Sequence, residues 1–378
     1  MEPVEQLEQP FEPTPIYDNL DIDLLVKVLA NTALSPFFVF FIPVFYWFQG
    51  AKVSDPVIVL SAVYYVFISL FWFVKWTSKL YRNQGSLFFA PRDLDWSEQI
   101  VVLTGGSSGI GELLANTLAV KNVTVVVLDI KPIETENYNI VYYKCDVSKW
   151  DEVQAVSKKV IEEVGEPTIL INNAGVVQGK LIVDLTEADV NQTFGVNVLS
   201  NFWILKAFLP SLLKAKTGHI VTMASALGLT GVAQMSDYCA SKAALVNLHE
   251  SLRYELDNRY NCPKIRTTLV CPGHVQTRMF NTVTLPTWPL FKFLAPSLQP
   301  ITVVKQIITA LDDQHSQTLL LPFYVNFVPY VQLLPSYLRD LAQKISGADY
   351  AMRNFVKVSG RRPDEGSLLP EVEDEQGL

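Results

Sequence analysis

The apolar positions of the chain follow two different patterns, which change near residue 97. Before it, two long apolar runs at residues 24–48 and 57–74 contain almost no charge. After it, short β-branched runs alternate with stretches whose apolar residues recur at helical spacing. About 20 apolar residues span a bilayer core as a helix, whereas alternating strands and helices build an α/β domain. The pattern predicts a membrane region followed by an α/β domain.

The two apolar runs differ in how well they suit a membrane helix. Residues 57–74 carry no charge, whereas the first run is interrupted by Lys27, Asn31, Pro36 and Pro43, and prolines break or kink helices. Two arrangements stay open, a hairpin of both runs or a single span formed by the second. Basic residues follow the second run, so the positive-inside rule places the downstream domain in the cytosol: Lys75, Lys79, Arg82 and Arg92.

The second half of the pattern predicts a buried parallel sheet. Strands are expected at residues 100–104, 123–129, 139–144, 168–172, 219–224 and 265–271, and helices at 111–120, 151–164, 196–215 and 236–258. The strands are continuous apolar runs, which is typical of a sheet covered by helices on both faces. A later apolar stretch, residues 318–335, is expected to pack on the domain or to lie on a membrane surface.

Composition narrows the possible partners. The chain has 378 residues, is 49% hydrophobic and 18% charged, and carries a net charge of −8, which argues against nucleic acid. Its four cysteines show no paired short spacing, so we expect neither a disulfide framework nor a metal site.

A glycine-rich turn, Thr-Gly-Gly-Ser-Ser-Gly-Ile-Gly at residues 104–111, lies between the first strand and its helix. Its glycines allow a tight turn, and the helix N-terminus behind them offers N–H groups to a pyrophosphate. Asp129 ends the second strand, where an acid binds the adenosine ribose hydroxyls. Its charge would repel a 2′-phosphate, so NAD(H) is favoured; NADP(H) stays the alternative because Lys131 lies nearby.

Further motifs follow in a fixed order. They are Asp146 in Cys-Asp-Val, the run Asn-Asn-Ala-Gly at 172–175, Asn197 in Gly-Val-Asn-Val, Ser225 after the fifth strand, Tyr238 and Lys242 in Ser-Asp-Tyr-Cys-Ala-Ser-Lys, and Pro-Gly at 272–273 with Thr277. With the glycine turn, they resemble the short-chain dehydrogenase/reductase family over residues 104–277. The runs at 172–177, 196–199, 202–203, 206–210 and 218–222 are similar to its membrane- and lipid-droplet-associated 17-beta-hydroxysteroid dehydrogenase and retinol dehydrogenase-like branch.

The resemblance implies a doubly wound Rossmann sheet, and composition and hydropathy divide the rest of the chain. We expect an acidic disordered tail (1–23), a membrane region of one or two helices (24–76), a basic linker (77–97), a Rossmann catalytic domain (98–335) and a C-terminal extension ending in an acidic disordered tail (336–378). By the same resemblance, the cofactor contacts are Thr104, Gly105, Ser107, Gly109, Ile110, Gly111, Asp129, Asp146, Val147, Asn173, Ala174, Gly175, Tyr238, Lys242, Pro272, Gly273, Val275 and Thr277.

The chemistry of alcohol oxidation requires a group that handles a proton. A free tyrosine, with a pKa near about 10, is a poor base, but a neighbouring ammonium favours its ionised form. Tyr238 and Lys242 stand four residues apart and share a helix face, so Tyr238 is predicted to be the general base for oxidation and the acid for reduction. The resemblance implies that Lys242 also binds the nicotinamide ribose, that Ser225 holds the substrate oxygen, and that Asn197 holds a relay water.

The predicted activity is the interconversion of a lipophilic alcohol and its carbonyl. Residues 279–300 are rich in Pro, Phe, Leu and Trp, which suits a steroid, a retinoid or a long-chain lipid but equally a membrane contact. The predicted location is the endoplasmic reticulum or lipid droplets, with the catalytic domain facing the cytosol and a homodimer as the expected assembly. The rival interpretation is a non-catalytic nucleotide-binding protein at the same surfaces.

Overall fold

A computed structural model describes residues 20–83, 94–353 and 355. The greater parts of both predicted acidic tails, residues 84–93 of the predicted linker and Arg92 lie outside the described residues. The chain divides between Phe71 and Trp72 into two compact units.

The first unit consists of three helical segments. Helix α1 (Ile22–Ala30) begins at Asp21, whose carboxylate accepts the N–H of Leu24 at 3.0 Å. Helix α2 (Pro36–Phe48) contains Pro43, and helix α3 (Pro56–Arg82) begins in this unit and ends in the second. The first apolar run is therefore two helices, with the break at residues 31–35. At 1.5 Å per residue, α2 is about 20 Å long, which is shorter than the about 30 Å hydrocarbon core.

Within the described residues, two helical stretches are long and apolar enough to cross a membrane. The first is α3, with 27 residues and only 11% of its most apolar window buried. The second, Glu187–Ala215, has 56% of its window buried, because it packs in the second unit as a core helix. Length and exposure together make α3 the candidate membrane span.

The second unit contains a seven-stranded, all-parallel sheet in the order β3-β2-β1-β4-β5-β6-β7. Its strands are β1 (Ile100–Thr104), β2 (Thr124–Asp129), β3 (Ile140–Lys144), β4 (Ile169–Asn172), β5 (Gly218–Met223), β6 (Ile265–Pro272) and β7 (Gln317–Leu321). Its helices are α4 (Gly109–Val120), α5 (Trp150–Glu163), α6 (Glu187–Phe194), α7 (Ser200–Ala215), α8 (Ser236–Asn258), α9 (Pro289–Leu294), α10 (Pro300–Asp312), α11 (Val328–Val331) and α12 (Ser336–Ser346). The predicted doubly wound fold is confirmed.

Alternate residues along the strands point to opposite faces of the sheet and are buried in two separate hydrophobic cores. Val101 and Leu103 pack with α4 and α10, whereas Val102 packs with α5, α7 and α8 on the opposite face. The strand order reverses between β1 and β4, and ligands of such sheets bind in the crevice at the carboxyl ends of the strands there.

The ends of the second unit differ from the sequence expectations. Residues 77–82, predicted as linker, continue α3, and the buried Asn83 accepts the N–H of Ser316 at 2.8 Å. The stretch 318–335, expected either to pack on the domain or to lie on a membrane, begins as strand β7. Beyond the predicted domain end at 335, Met352 and Phe355 are buried against the domain core.

Candidate active site

The glycine turn and the loop after β4 are joined where the strand order reverses. The side chain of Thr104 accepts the backbone N–H groups of Asn173 and Ala174 at 3.0 and 3.1 Å. The Asn173 amide donates to the carbonyls of Thr104 and Gly105 at 3.1 and 3.0 Å. The two predicted motifs therefore form one rigid wall of the crevice.

Glycine is sterically required within this turn. A Cβ on Gly105, whose φ is +66°, would lie 2.7 Å from Cα of Ala174. A Cβ on Gly111 would lie 2.6 Å from Nδ2 of Asn173 and would also collide with the Gly105 carbonyl oxygen. Ser108 precedes α4 without a side-chain hydrogen bond to its first turn. A cradle of this kind at an uncapped helix N-terminus fits a pyrophosphate.

The adenosine side of the crevice is built around two carboxylates. Asp129 accepts the N–H groups of Ser107 at 3.0 Å and Lys131 at 3.1 Å, which ties the end of β2 to the turn. The Asp146 carboxylate accepts both the N–H and the hydroxyl of Ser148. Burial works to raise the pKa of Asp146, but the hydrogen bonds from Ser148 and Lys149 outweigh it and hold the pKa below its usual value. Asp129 thus lies beside the turn, and Val147, which follows Asp146 in the chain, is buried.

The predicted catalytic side chains converge below this wall. Ser225 caps a short 3₁₀ turn by accepting the Leu227 N–H at 3.1 Å, and its hydroxyl donates to the Pro272 carbonyl at 3.5 Å. Ser225 also lies near enough to Tyr238 to lower the pKa of that phenol. The ammonium of Lys242 lies 5.6 Å from the Tyr238 ring centroid and donates to the Met223 carbonyl at 2.9 Å. Tyr238 and Lys242 thus share one face of α8, as their spacing predicts.

Burial dominates the electrostatics of this pair. It raises the pKa of Tyr238 above its ordinary value, and the neighbouring Ser225 side chain only partly offsets this. Burial also lowers the pKa of Lys242 to about 8, because the ammonium loses its hydration. The expected depression of the tyrosine pKa by Lys242 is therefore not observed in the free protein; desolvation is the larger effect.

Asn197 lies in a π-helical turn, Gly195–Leu199, between α6 and α7. Its amide N–H groups donate to the Val176 carbonyl at 3.0 Å and to the Ser241 hydroxyl at 2.9 Å, and its Oδ1 accepts the Val176 N–H at 2.8 Å. A Cβ on Gly175 would lie 3.6 Å from Nζ of Lys242 and 3.7 Å from Oδ1 of Asn197. Asn197 and Lys242 therefore face the same point beside Gly175.

Sequence reasoning missed part of the supporting polar network. Ser241 is fully buried, and its hydroxyl donates to the Tyr238 carbonyl at 2.7 Å while accepting from Asn197. Asp237 accepts the Thr193 hydroxyl at 2.7 Å between α8 and α6. The sequence did offer one signal for this network. Asp237 and Ser241 are polar residues near Tyr238, at positions of the same helix that face the interior.

The nicotinamide side is formed by the residues after β6. The Gly273 N–H donates to the Leu321 carbonyl at 2.6 Å, and Val275 forms an isolated parallel bridge with Leu298. Thr277 begins a turn to Phe280, whose ring centroid lies 6.2 Å from that of Tyr238. The turn that follows the predicted Pro-Gly motif thus lies next to Tyr238.

The histidines serve the interior of the fold. His219 and His249 hydrogen-bond with the side chains of Thr268 and Thr222, and burial lowers the pKa of both imidazoles to about 3. Across residues 20–83, 94–353 and 355, no group of three His, Cys, Asp or Glu side chains is placed to hold a metal ion.

Comparison with known proteins identifies the family of the chain. Residues 99–287 match the short chain dehydrogenase family. Retinol dehydrogenase 10-B of Danio rerio is 36% identical over 302 residues, covering 71% of this chain and 88% of the relative. A short chain dehydrogenase/reductase from Burkholderia phymatum in complex with NAD superposes with a TM-score of 0.55 at 25% identity, covering 64% of this chain and 95% of that one.

A short chain dehydrogenase from Burkholderia cenocepacia in complex with NADP shares the fold, with a TM-score of 0.56 at 20% identity over 66% of this chain and 99% of that one. Strands β1 to β6, the glycine cradle and the residues Ser225, Tyr238 and Lys242 lie within residues 99–287, which match the family. The chain is therefore an oxidoreductase that belongs to the short chain dehydrogenase family.

Proposed function

We propose that the protein is a membrane-anchored, NAD(H)-dependent dehydrogenase that interconverts a lipophilic alcohol and its carbonyl. The observation that carries the proposal is the convergence of the Ser225 and Tyr238 hydroxyls with the Lys242 ammonium, next to the glycine cradle. Bound nicotinamide would accept or donate the hydride. The side chains of this chain hold the substrate oxygen and move the proton.

Tyr238 exchanges the proton with the substrate oxygen, and Ser225 hydrogen-bonds that oxygen. Because burial raises the pKa of Tyr238, the hydroxyl is protonated at neutral pH and ready to act as the acid in carbonyl reduction. The pair first loses a proton near pH 8, from Lys242. We therefore expect alcohol oxidation to accelerate, and carbonyl reduction to slow, as the pH rises through about 8.

The relay of the proton to solvent passes beside Gly175. Both N–H groups of the Asn197 amide are engaged, so Oδ1, which has a second lone pair, is the atom that holds a water. A water at that point would lie between Oδ1 and the Lys242 ammonium, because glycine leaves the space open.

The preference for NAD(H) rests on Asp129. Its carboxylate lies at the end of β2, against the glycine turn, and would repel a 2′-phosphate. Asp129→Ala should improve the use of NADP⁺ relative to NAD⁺ by about tenfold or more. An unchanged cofactor ratio would remove Asp129 from the specificity argument.

The lipophilic substrate is supported by the surroundings of Tyr238 and by the anchor. Val177, Met279, Phe280 and Val283 pack around the tyrosine, and helix α3 is long and apolar enough to span a bilayer. Lys75, Lys79 and Arg82 follow its apolar part, which favours a cytosolic catalytic domain on the endoplasmic reticulum or lipid droplets.

The test is turnover by the full-length chain in detergent micelles, with NAD⁺ and with all-trans-retinol, oestradiol or hexadecanol, followed by NADH fluorescence. Tyr238→Phe should lower the rate by about 10²–10⁴-fold and leave NADH binding intact. Tyr254→Phe, an exposed tyrosine on the same helix, is the matched control. Undiminished turnover in Tyr238→Phe would refute the proton role, and nucleotide binding without turnover of any alcohol would favour the non-catalytic alternative.

A further inference from the structure

The described C-terminal residues cover the catalytic tyrosine. Met352 and Phe355 are 2% and 1% exposed and share one apolar cluster with Val177, Met235, Tyr238 and Cys239. Tyr238 and Ser225 are themselves only 6% and 7% exposed. A substrate therefore cannot reach the two hydroxyls while all of these side chains keep their positions.

The ring of Phe355 sits in a notch that glycine creates. Gly179 has a φ of +68°, and a Cβ built on it would lie 2.8 Å from Cε1 and 3.0 Å from Cγ of Phe355. Gly179 follows the loop that carries Gly175 and Val177, which is the substrate side of the Rossmann crevice. The ring thus fills space directly beside the proposed site.

Few polar contacts hold the covering segment in place. The Thr284 N–H donates to the Ala351 carbonyl at 3.0 Å, the Ala233 N–H donates to Asp349 at 3.1 Å, and the Gln343 amide donates to the Gly231 carbonyl at 3.2 Å. The last two bonds are exposed to solvent, so the water that replaces them on opening offsets most of their loss. Burial of Met352 and Phe355 therefore provides most of the free energy that holds the covering segment in place.

We propose that Phe355, with Met352, is an internal plug that occupies the apolar part of the substrate pocket and that the substrate must displace it. This rests on the proposed dehydrogenase function and adds a residue that controls access to the substrate pocket. A short alcohol buries too little surface to replace the plug, whereas a long apolar substrate takes over its contacts. Substrate binds only the open form, in which Phe355 and Met352 are displaced. The plug therefore raises the apparent KM and leaves kcat unchanged.

Two different substitutions remove the plug. Phe355→Ala deletes the ring, and Gly179→Ala expels it by placing a Cβ in the notch. Using the best alcohol of the panel and the full-length chain in micelles, each should lower KM by about tenfold at constant kcat, since burial of a phenyl ring contributes a factor of this order. Hexanol and the long alcohol should gain in kcat/KM by the same factor, because the fraction of protein in the open form does not depend on the substrate. Phe327→Ala, at an exposed phenylalanine, is the matched control and should change neither constant.

The double variant separates the plug from simple damage. In the Phe355→Ala background, Gly179→Ala should produce no further fall in KM, because no ring is left to expel; a second independent fall would overturn the proposal. An unchanged or higher KM in Phe355→Ala, with the wild type active, would also overturn it, as would a fall in KM for Phe280→Ala alone, which would make the other aromatic neighbour the barrier. Inactivity of the wild type toward every alcohol would instead refute the proposed function.

Discussion

Replacing Lys242 by methionine tests whether the ammonium of this residue is buried at the expense of stability. Burial lowers the pKa of Lys242 from the ordinary 10.5 to about 8. At 1.36 kcal/mol per pKa unit, this difference corresponds to about 3 kcal/mol of destabilisation at pH 7. The methionine variant avoids this cost but also loses the hydrogen bond to the Met223 carbonyl, which reduces the gain in stability by about 1–3 kcal/mol. Lys242→Met should therefore be inactive but at least as stable as the wild type at pH 7.

The pH dependence of the unfolding free energy gives a better-defined expected difference between the two proteins. Its sign follows from the linkage between proton binding and folding. Between pH 8 and 10.5 the unfolded chain keeps the lysine proton that the folded chain has released, so the stability of the wild type rises with pH in this window. Below pH 8 the full cost of the buried ammonium is present. The wild type should gain about 2 kcal/mol relative to Lys242→Met between pH 7 and pH 9.5.

Urea unfolding of both full-length proteins in micelles, followed by tryptophan fluorescence, measures this difference. Burial also raises the pKa of the thiols of Cys145 and Cys271 to about 12, which lowers stability above about pH 9, but that effect is common to both proteins and cancels. Lys158→Met, at an exposed lysine, should show no such trend. A difference between wild type and Lys242→Met that does not vary with pH would refute the reasoning.

Three further predictions concern the framework of the site. Gly111→Ala drives a Cβ into the Gly105 carbonyl, so NADH affinity measured by fluorescence titration should fall by at least about tenfold, whereas Gly231→Ala, where a Cβ meets nothing within 4 Å, should not change it. Arg253→Met leaves Asp257 without its partner at 2.7 Å and also removes a donor to the Arg82 carbonyl, so the unfolding free energy should fall by about 3–5 kcal/mol in urea titrations; wild-type stability would contradict this. Ser241→Ala removes an acceptor of the Asn197 amide and should lower stability by about 1–3 kcal/mol; a neutral effect would show that another group takes that hydrogen bond.

The fold could be predicted because its signals are local and repeated. Each continuous apolar run, such as Ile100–Thr104, forms a strand of the sheet, and the glycine turn fixes where β1 passes into α4. The spacing of Tyr238 and Lys242 is enough to place both side chains on one helix face. Helical periodicity and the order of motifs thus suffice for the doubly wound sheet and for the neighbourhood of these two residues.

The features that could not be predicted from the sequence depend on contacts between residues far apart along the chain. Strand β7 is short and only partly buried, and its apolar pattern runs without a break into the residues that follow it. The burial of Phe355 against Gly179 joins positions with no local pattern in common, and Ser241 looks like an ordinary helix serine until Asn197 is placed beside it. Whether the pKa of Tyr238 is raised or lowered also depends on how completely its side chain is buried. The four-residue spacing to Lys242 gives no information on that burial.

Burial connects the stability of this site to its chemistry. The enclosure that raises the pKa of Tyr238 also lowers that of Lys242, so the free protein holds a neutral phenol beside an ammonium that is easily deprotonated. Opening the plug over Tyr238 would admit water as well as substrate, and hydration would shift both pKa values back toward their ordinary values. A lipophilic substrate that replaces Phe355 without admitting water preserves the desolvated pair. Selectivity for long apolar alcohols and control of proton transfer would then have one structural cause, the closed apolar cluster around Tyr238.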